Sequence, residues 1–153
     1  MTALLAAGGG FLLAVLWMDL LFDVQVLRHR GREAALPEEV LASIAGYYRR
    51  VTTRARPMSH LIGVVMAITA GGAAVELVRG ARPRSLALAS LVLCAGPAAL
   101  ALRRVLPNAV RLGARSDPPE AQSALARAIC RDHLLCLGAI ALFLGLQLAA
   151  AAR

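Results

Sequence analysis

Residues 129–152 read ICRDHLLCLGAIALFLGLQLAAAA. Beyond His133 the only polar side chain in this run is Gln147. A helix of about 20 residues, rising ~1.5 Å per residue, crosses the ~30 Å hydrocarbon layer of a bilayer. The run is long enough to do so, and three others match it at residues 3–27, 58–78 and 85–106. With the last span taken as 126–152, the chain is expected to be all-α. Its expected fold is a four-helix transmembrane bundle, and residues 1–153 form one integral membrane domain.

Composition agrees. The chain is 59% hydrophobic, with a mean hydropathy of +0.66, too apolar for an ordinary soluble domain of this length. Every basic residue other than histidine is arginine, and with abundant Ala, Leu and Gly this suggests a GC-rich, bacterial source. A net charge of +8 raises the question of nucleic acid. The arginines, however, sit between the apolar runs, with no basic face carrying interleaved aromatics. That placement sets orientation and meets anionic lipid headgroups, so the expected partner is the bilayer and not nucleic acid. The first span has no basic residue before Arg28 and holds two carboxylates, as in a retained helix rather than a signal peptide. Cys94, Cys130 and Cys136 lie in apolar segments without a CxxC pair and are read as small hydrophobes.

Arginine bias gives a topology. The first loop carries Arg28, Arg30, Arg32, Arg49, Arg50, Arg54 and Arg56; the third carries Arg103, Arg104, Arg111, Arg115 and Arg127. Arg79, Arg82 and Arg84 in the short second loop, with Arg153, are the minority. The positive-inside rule places the first and third loops in the cytoplasm and both ends of the chain outside a bacterial inner membrane. Within the first loop, Pro37-Glu38-Glu39 opens a helix, with acids at its positive end. Val40, Leu41, Ile44, Tyr47, Tyr48 and Val51 recur at helical spacing. Residues 38–55 are therefore expected as a cytoplasmic amphipathic segment before helix two, with both tyrosines at headgroup level. Pro97 interrupts the third span near its middle.

The best functional lead is a set of costly side chains. Asp19 and Asp23 stand four residues apart on one face of the first span. A charge facing lipid at the bilayer centre costs at least ~2.5–3.5 kcal/mol, so this stripe should face protein or water. His60 opens the second span; Arg104, Asn108 and Arg111 follow the third; Arg131, Asp132 and His133 open the fourth. All are expected near the cytoplasmic leaflet, as an intramembrane polar pocket. Glu76 and Gln147 are the outer exceptions, with Glu76 paired to Arg79 three residues on. The plainer account is ion pairing between helix ends, which fixes register. Glycines at Gly8–Gly10, Gly71, Gly72, Gly138 and Gly145 suit close helix packing.

Three chemistries would use the polar set. His60, His133 and Asp19 are the candidate ligands of a metal or haem, although no ExxH or HxxxH pair supports one and no metal is expected. Aspartates and histidines could relay protons for a small ion-coupled transporter. An amphiphile or lipid could place its polar end on the cluster, with carboxylate and imidazole as acid and base. The last is the leading reading, and catalysis is left open, as is any cofactor. An accessory subunit in a homo-oligomer or a larger membrane complex is the alternative from a different class.

Three short elements carry a family likeness: Phe22–Leu27 (FDVQVL) closing the first span, Pro107-Asn108-Ala109-Val110-Arg111-Leu112 after the third, and Arg131-Asp132-His133 opening the fourth. With the chain length and helix order, they resemble small four-helix bacterial membrane proteins of the anthrone-oxygenase-like domain of unknown function. The resemblance implies cofactor-independent oxygenation of polycyclic phenols and singles out Asn108, Arg111 and His133. The paired membrane histidines and Asn-Glu-Val-Pro element of the four-helix, haem-dependent protoporphyrinogen oxidase type are absent from the sequence.

Overall fold

The computed structural model describes residues 1–29, 35–54, 56–80 and 82–152. The side chains of Arg54 and Arg56 are not among those described, and Arg30, Arg32 and Arg153 lie outside the described residues. Helix α1 spans Thr2–Asp23 and tightens into a 3-10 segment at Val24–His29. Helix α2 spans Glu38–Arg49 and passes into a π-helical turn at Arg50–Arg54. Helix α3 runs Arg56–Arg79, and α4 runs Arg84–Leu100. A second π-helical turn, Ala101–Val105, leads into α5 at Leu106–Ala114. The long α6 covers Pro119–Ala151.

Four helical runs are long and apolar enough to cross a membrane: Thr2–His29, Pro57–Arg79, Arg84–Ala114 and Pro119–Ala151. Helix α1 packs on α6 and α3, and α4 packs on α3 and α6, closing a four-helix ring. The outward faces remain apolar and uncovered, with Trp17, Met18, Val78, Val92 and Leu142 all at least 60% exposed. In water, such a coat would drive association; in hydrocarbon it is an ordinary surface. The protein is a multi-pass membrane protein built as an all-α bundle.

Two separate cores hold it together. Within the bundle, Leu5, Leu12, Ala73, Cys94, Ile140 and Phe143 are buried against one another. At the arginine-rich end, Val40, Leu41, Ile44, Ala45 and Tyr48 of α2 pack on Ala109 and Leu112 of α5 and on Ala126 and Ile129 of α6. Helix α2 is therefore not simply an interfacial segment. It is the apolar-faced wall of a helical cap made with α5 and the first turns of α6. Helix extends beyond the expected spans of 85–106 and 126–152, continuing to Ala114 and beginning at Pro119. The Leu36 N–H donates to Ser123 Oγ at 2.8 Å, and Arg115 bonds Glu38 at 2.7 Å, tying the chain before α2 to the cap.

One glycine sets how closely the cap packs. A Cβ on Gly113 would lie 2.9 Å from the Arg49 backbone nitrogen and 3.1 Å from its Cα. Backbone cannot yield as a flexible side chain can. Gly113→Val should separate α2 from α5 and cost about 1–3 kcal/mol, as overpacking does. Thermal unfolding in mild detergent would measure it; an unchanged midpoint would contradict this close approach. Gly80, with φ +62°, ends α3 in the left-handed conformation that glycine adopts without steric penalty, and so turns the chain toward α4.

Candidate functional site

Asp19 and Asp23 lie one turn apart on α1 and face inward. Asp23 is fully buried, and the Asp19 side chain is 18% exposed. Two tyrosines from the cap reach them. The Tyr47 hydroxyl donates to Asp19 Oδ1 at 2.6 Å, and the Tyr48 hydroxyl donates to Asp23 Oδ1 at 2.6 Å. Tyr47 is held in place by stacking on Phe22, with ring centroids 4.1 Å apart and planes 11° from parallel. It also meets Tyr48 edge-on at 5.3 Å. The two tyrosines thus fasten the cap to the bundle's acids.

His133 of α6 stands between the two carboxylates. Its Nδ1 lies 2.6 Å from Asp23 Oδ2. A carboxylate there requires the proton on Nδ1 and fixes the ring's orientation. Nε2 then points toward Asp19 Oδ2 at 3.8 Å, too far for a direct hydrogen bond. A cavity of about 100 Å³ adjoins both groups. Its walls are apolar, from Leu12, Leu16, Ile62, Met66, Cys94 and Ile140, together with Pro97, Ala98 and Ala101. Pro97 lacks the N–H that would bond the Leu93 carbonyl, and the small side chains after it leave the space unfilled.

The structure divides the expected pocket. Asp19, Asp23 and His133 converge. Asp132, next in sequence to His133, turns to another face, where Arg104 Nε lies 3.3 Å and Arg131 Nη2 3.2 Å away. Asp132 is buried, while the Arg104 and Arg131 side chains are 50% and 61% exposed. Arg104 and Asp132 thus form an ion pair between two helical runs, while Arg131 pairs within α6. Arg111 leaves the pocket altogether and forms an exposed bidentate pair with Asp117 at 2.7 and 2.8 Å. Asn108 is half-buried on α5, outside the cavity lining. His60 is exposed on α3 and does not join His133 or Asp19. The three candidate metal ligands thus do not meet, and among the described residues no group of three or more His, Cys, Asp and Glu is placed to hold a metal ion.

No family model, curated protein or solved structure matches this chain. Its chemistry must be read from the cluster itself. Tyr48, Asp23 and His133 form a fixed chain of hydrogen bonds, and His133 and Asp19 form the polar face of the cavity lining, with Nε2 of the one 3.8 Å from Oδ2 of the other. Such a face can accept, donate and exchange a proton with a small polar group held between them.

The far end of the bundle carries a second buried polar set, which the sequence reading underestimated. Glu76 pairs with Arg82 at 3.6 Å, across the turn between α3 and α4, and not with Arg79. Arg82 also donates to Gln147 Oε1 at 3.0 Å and to Thr2 Oγ1 at 2.8 Å. Gln147 donates to Ser90 Oγ at 3.1 Å. These bonds tie all four spanning helices together at that end.

The tyrosines give a pH test. Burial first, and then the negative charge of the aspartates, push both phenols above their ordinary value near 10. The folded state thus keeps protons that the unfolded chain releases. Stability from this source is fully present below about pH 10 and is lost as pH rises beyond it. Both tyrosines of the chain are in this cluster. Phenolate absorbance should therefore stay flat through about pH 10 and appear only as the protein unfolds. A smooth titration near 10 in folded protein would contradict these contacts.

Proposed function

We propose that the cavity beside Asp19 and His133 binds a small amphiphile, with its apolar part between the helices and its protic polar group on these two side chains. The observation that carries this reading is the 3.8 Å separation of His133 Nε2 from Asp19 Oδ2 at the floor of an apolar cavity. A hydroxyl or amine placed there bridges the two groups. Two carboxylates face one imidazole, so the floor favours a hydrogen-bond donor or cation and repels an anion. A phenol fits this preference, and the Asp–His face can take its proton, the step with which oxygenation of a phenol begins. That chemistry is where the anthrone-oxygenase-like resemblance leads, with His133 as the base. Asn108 and Arg111 lie outside the cavity and take no part in this proposal.

The arginine-rich end is assigned to the cytoplasm, with both ends of the chain outside. The polar bonds of Thr2, Arg82, Ser90 and Gln147 at the other end support a closed binding site over a through-path for ions.

The test is equilibrium binding to the protein in nanodiscs. Para-butylphenol should bind, and para-butylbenzoate, with an anionic head, should bind far more weakly. Asp19→Asn should keep the fold and weaken phenol binding about ten- to a hundredfold, the ~1.5–3 kcal/mol of a hydrogen bond to a charged group. Equal binding of the two probes, or phenol binding indifferent to Asp19→Asn, would defeat the proposal.

A further inference from the structure

A second hollow lies on the outer side of the bundle and shares no residue with the cavity. It is a groove of about 760 Å³ between the Val24–His29 segment and α6, lined by Val26, Leu27, His29, Arg127, Cys130, Arg131, Leu134 and Leu135. From these residues we infer that the groove is a binding site for one anionic phospholipid of the surrounding bilayer.

The argument rests on charge and on depth. Among the described residues, those lining the groove include two guanidiniums and an imidazole, and no carboxylate. Asp132 lies next to Arg131 and bonds it, and that carboxylate is also shared with Arg104. Arg127 and Arg131 are one turn apart on α6, on the same face. Leu134 and Leu135 continue that face into the apolar run, 41% and 61% exposed. From Arg127 to Leu134 is about 11 Å along the helix axis. That is the distance over which a lipid changes from headgroup to acyl chain. Val26 and Leu27 form the facing apolar wall, and His29 completes the lining from the same segment. A free phosphate would use only the basic end. A zwitterionic lipid would bring its own cation to the guanidiniums. An anionic lipid satisfies both parts of the groove.

The experiment is native mass spectrometry of the protein released from nanodiscs of equimolar phosphatidylglycerol and phosphatidylcholine. The expected result is one retained phosphatidylglycerol in preference to phosphatidylcholine. Arg127→Gln should reduce that preference about fivefold, the effect of one basic residue at a lipid surface, and Arg131→Gln should do likewise. Arg103→Gln, exposed at the same end but outside the groove, should leave it unchanged. Excess inorganic phosphate should not displace the lipid. Thermal melting of each variant identifies loss of fold; should Arg127→Gln unfold, Arg131→Gln decides. Equal retention of the two lipids would overturn the inference. So would an Arg103→Gln effect as large as that of Arg127→Gln, or displacement by phosphate.

Discussion

Asp23→Ala should cost the folded protein about 3–5 kcal/mol, the usual penalty for removing one member of a buried charged pair. Asp23 is fully buried and accepts two hydrogen bonds of 2.6 Å, from Tyr48 and from His133 Nδ1. Alanine leaves both donors without an acceptor in a place that water does not reach. It also removes one of the two tyrosine bonds that join the cap to the bundle, since Tyr48 belongs to α2 and Asp23 to α1, leaving Tyr47 on Asp19. Tyr48→Phe removes only one of these bonds and should cost less, about 1.5–3 kcal/mol. The three cysteines are all buried, so a thiol-reactive dye reports unfolding in mild detergent without any added label. An Asp23→Ala midpoint equal to that of the unmodified protein would show that the cluster contributes little to stability.

Arg82→Ala should be as damaging, from the opposite end of the molecule. Glu76 is only 4% exposed and has Arg82 as its counter-ion at 3.6 Å. Loss of the guanidinium leaves a buried carboxylate uncompensated and frees Gln147 and Thr2 as well. A cost of about 3–5 kcal/mol is expected in the same dye assay. The double variant Arg82→Ala, Glu76→Gln removes the stranded charge and should recover most of the loss. Without recovery, the damage would have to come from the lost bonds to Gln147 and Thr2 or from lost packing, and not from the stranded charge.

The spans were legible because lipid imposes a simple rule on sequence. Runs such as 58–78 and 85–106 need only be apolar and long. The inward stripe of Asp19 and Asp23 was legible for the same reason, since exposure to lipid is costly. What could not be read is tertiary. Tyrosine is at home at a headgroup boundary, and nothing local to Tyr47 or Tyr48 says that its hydroxyl ends on a carboxylate of another helix. The local spacing of Glu76 and Arg79 suggested a pair, while the chain reversal at Gly80 brought Arg82 to Glu76 instead. Asp132 and His133 were read together because they are adjacent, yet neighbours on a helix point about 100° apart. One serves an ion pair and the other the cavity. The fourth span was expected from residue 126, whereas α6 begins at Pro119 and its first turns carry Gln122 and Ser123. They are buried because the cap, invisible in any single segment, covers them.

The central claim is that His133 is held by Asp23 on one nitrogen and offers the other to the cavity. Nitrogen-15 NMR of histidine-labelled protein in micelles tests it directly, with and without para-butylphenol. One imidazole of the three should keep an Nδ1 proton that exchanges slowly with water, and only its Nε2 should shift when the phenol is added. If all three rings exchange freely and none responds to the phenol, the binding site described here does not exist.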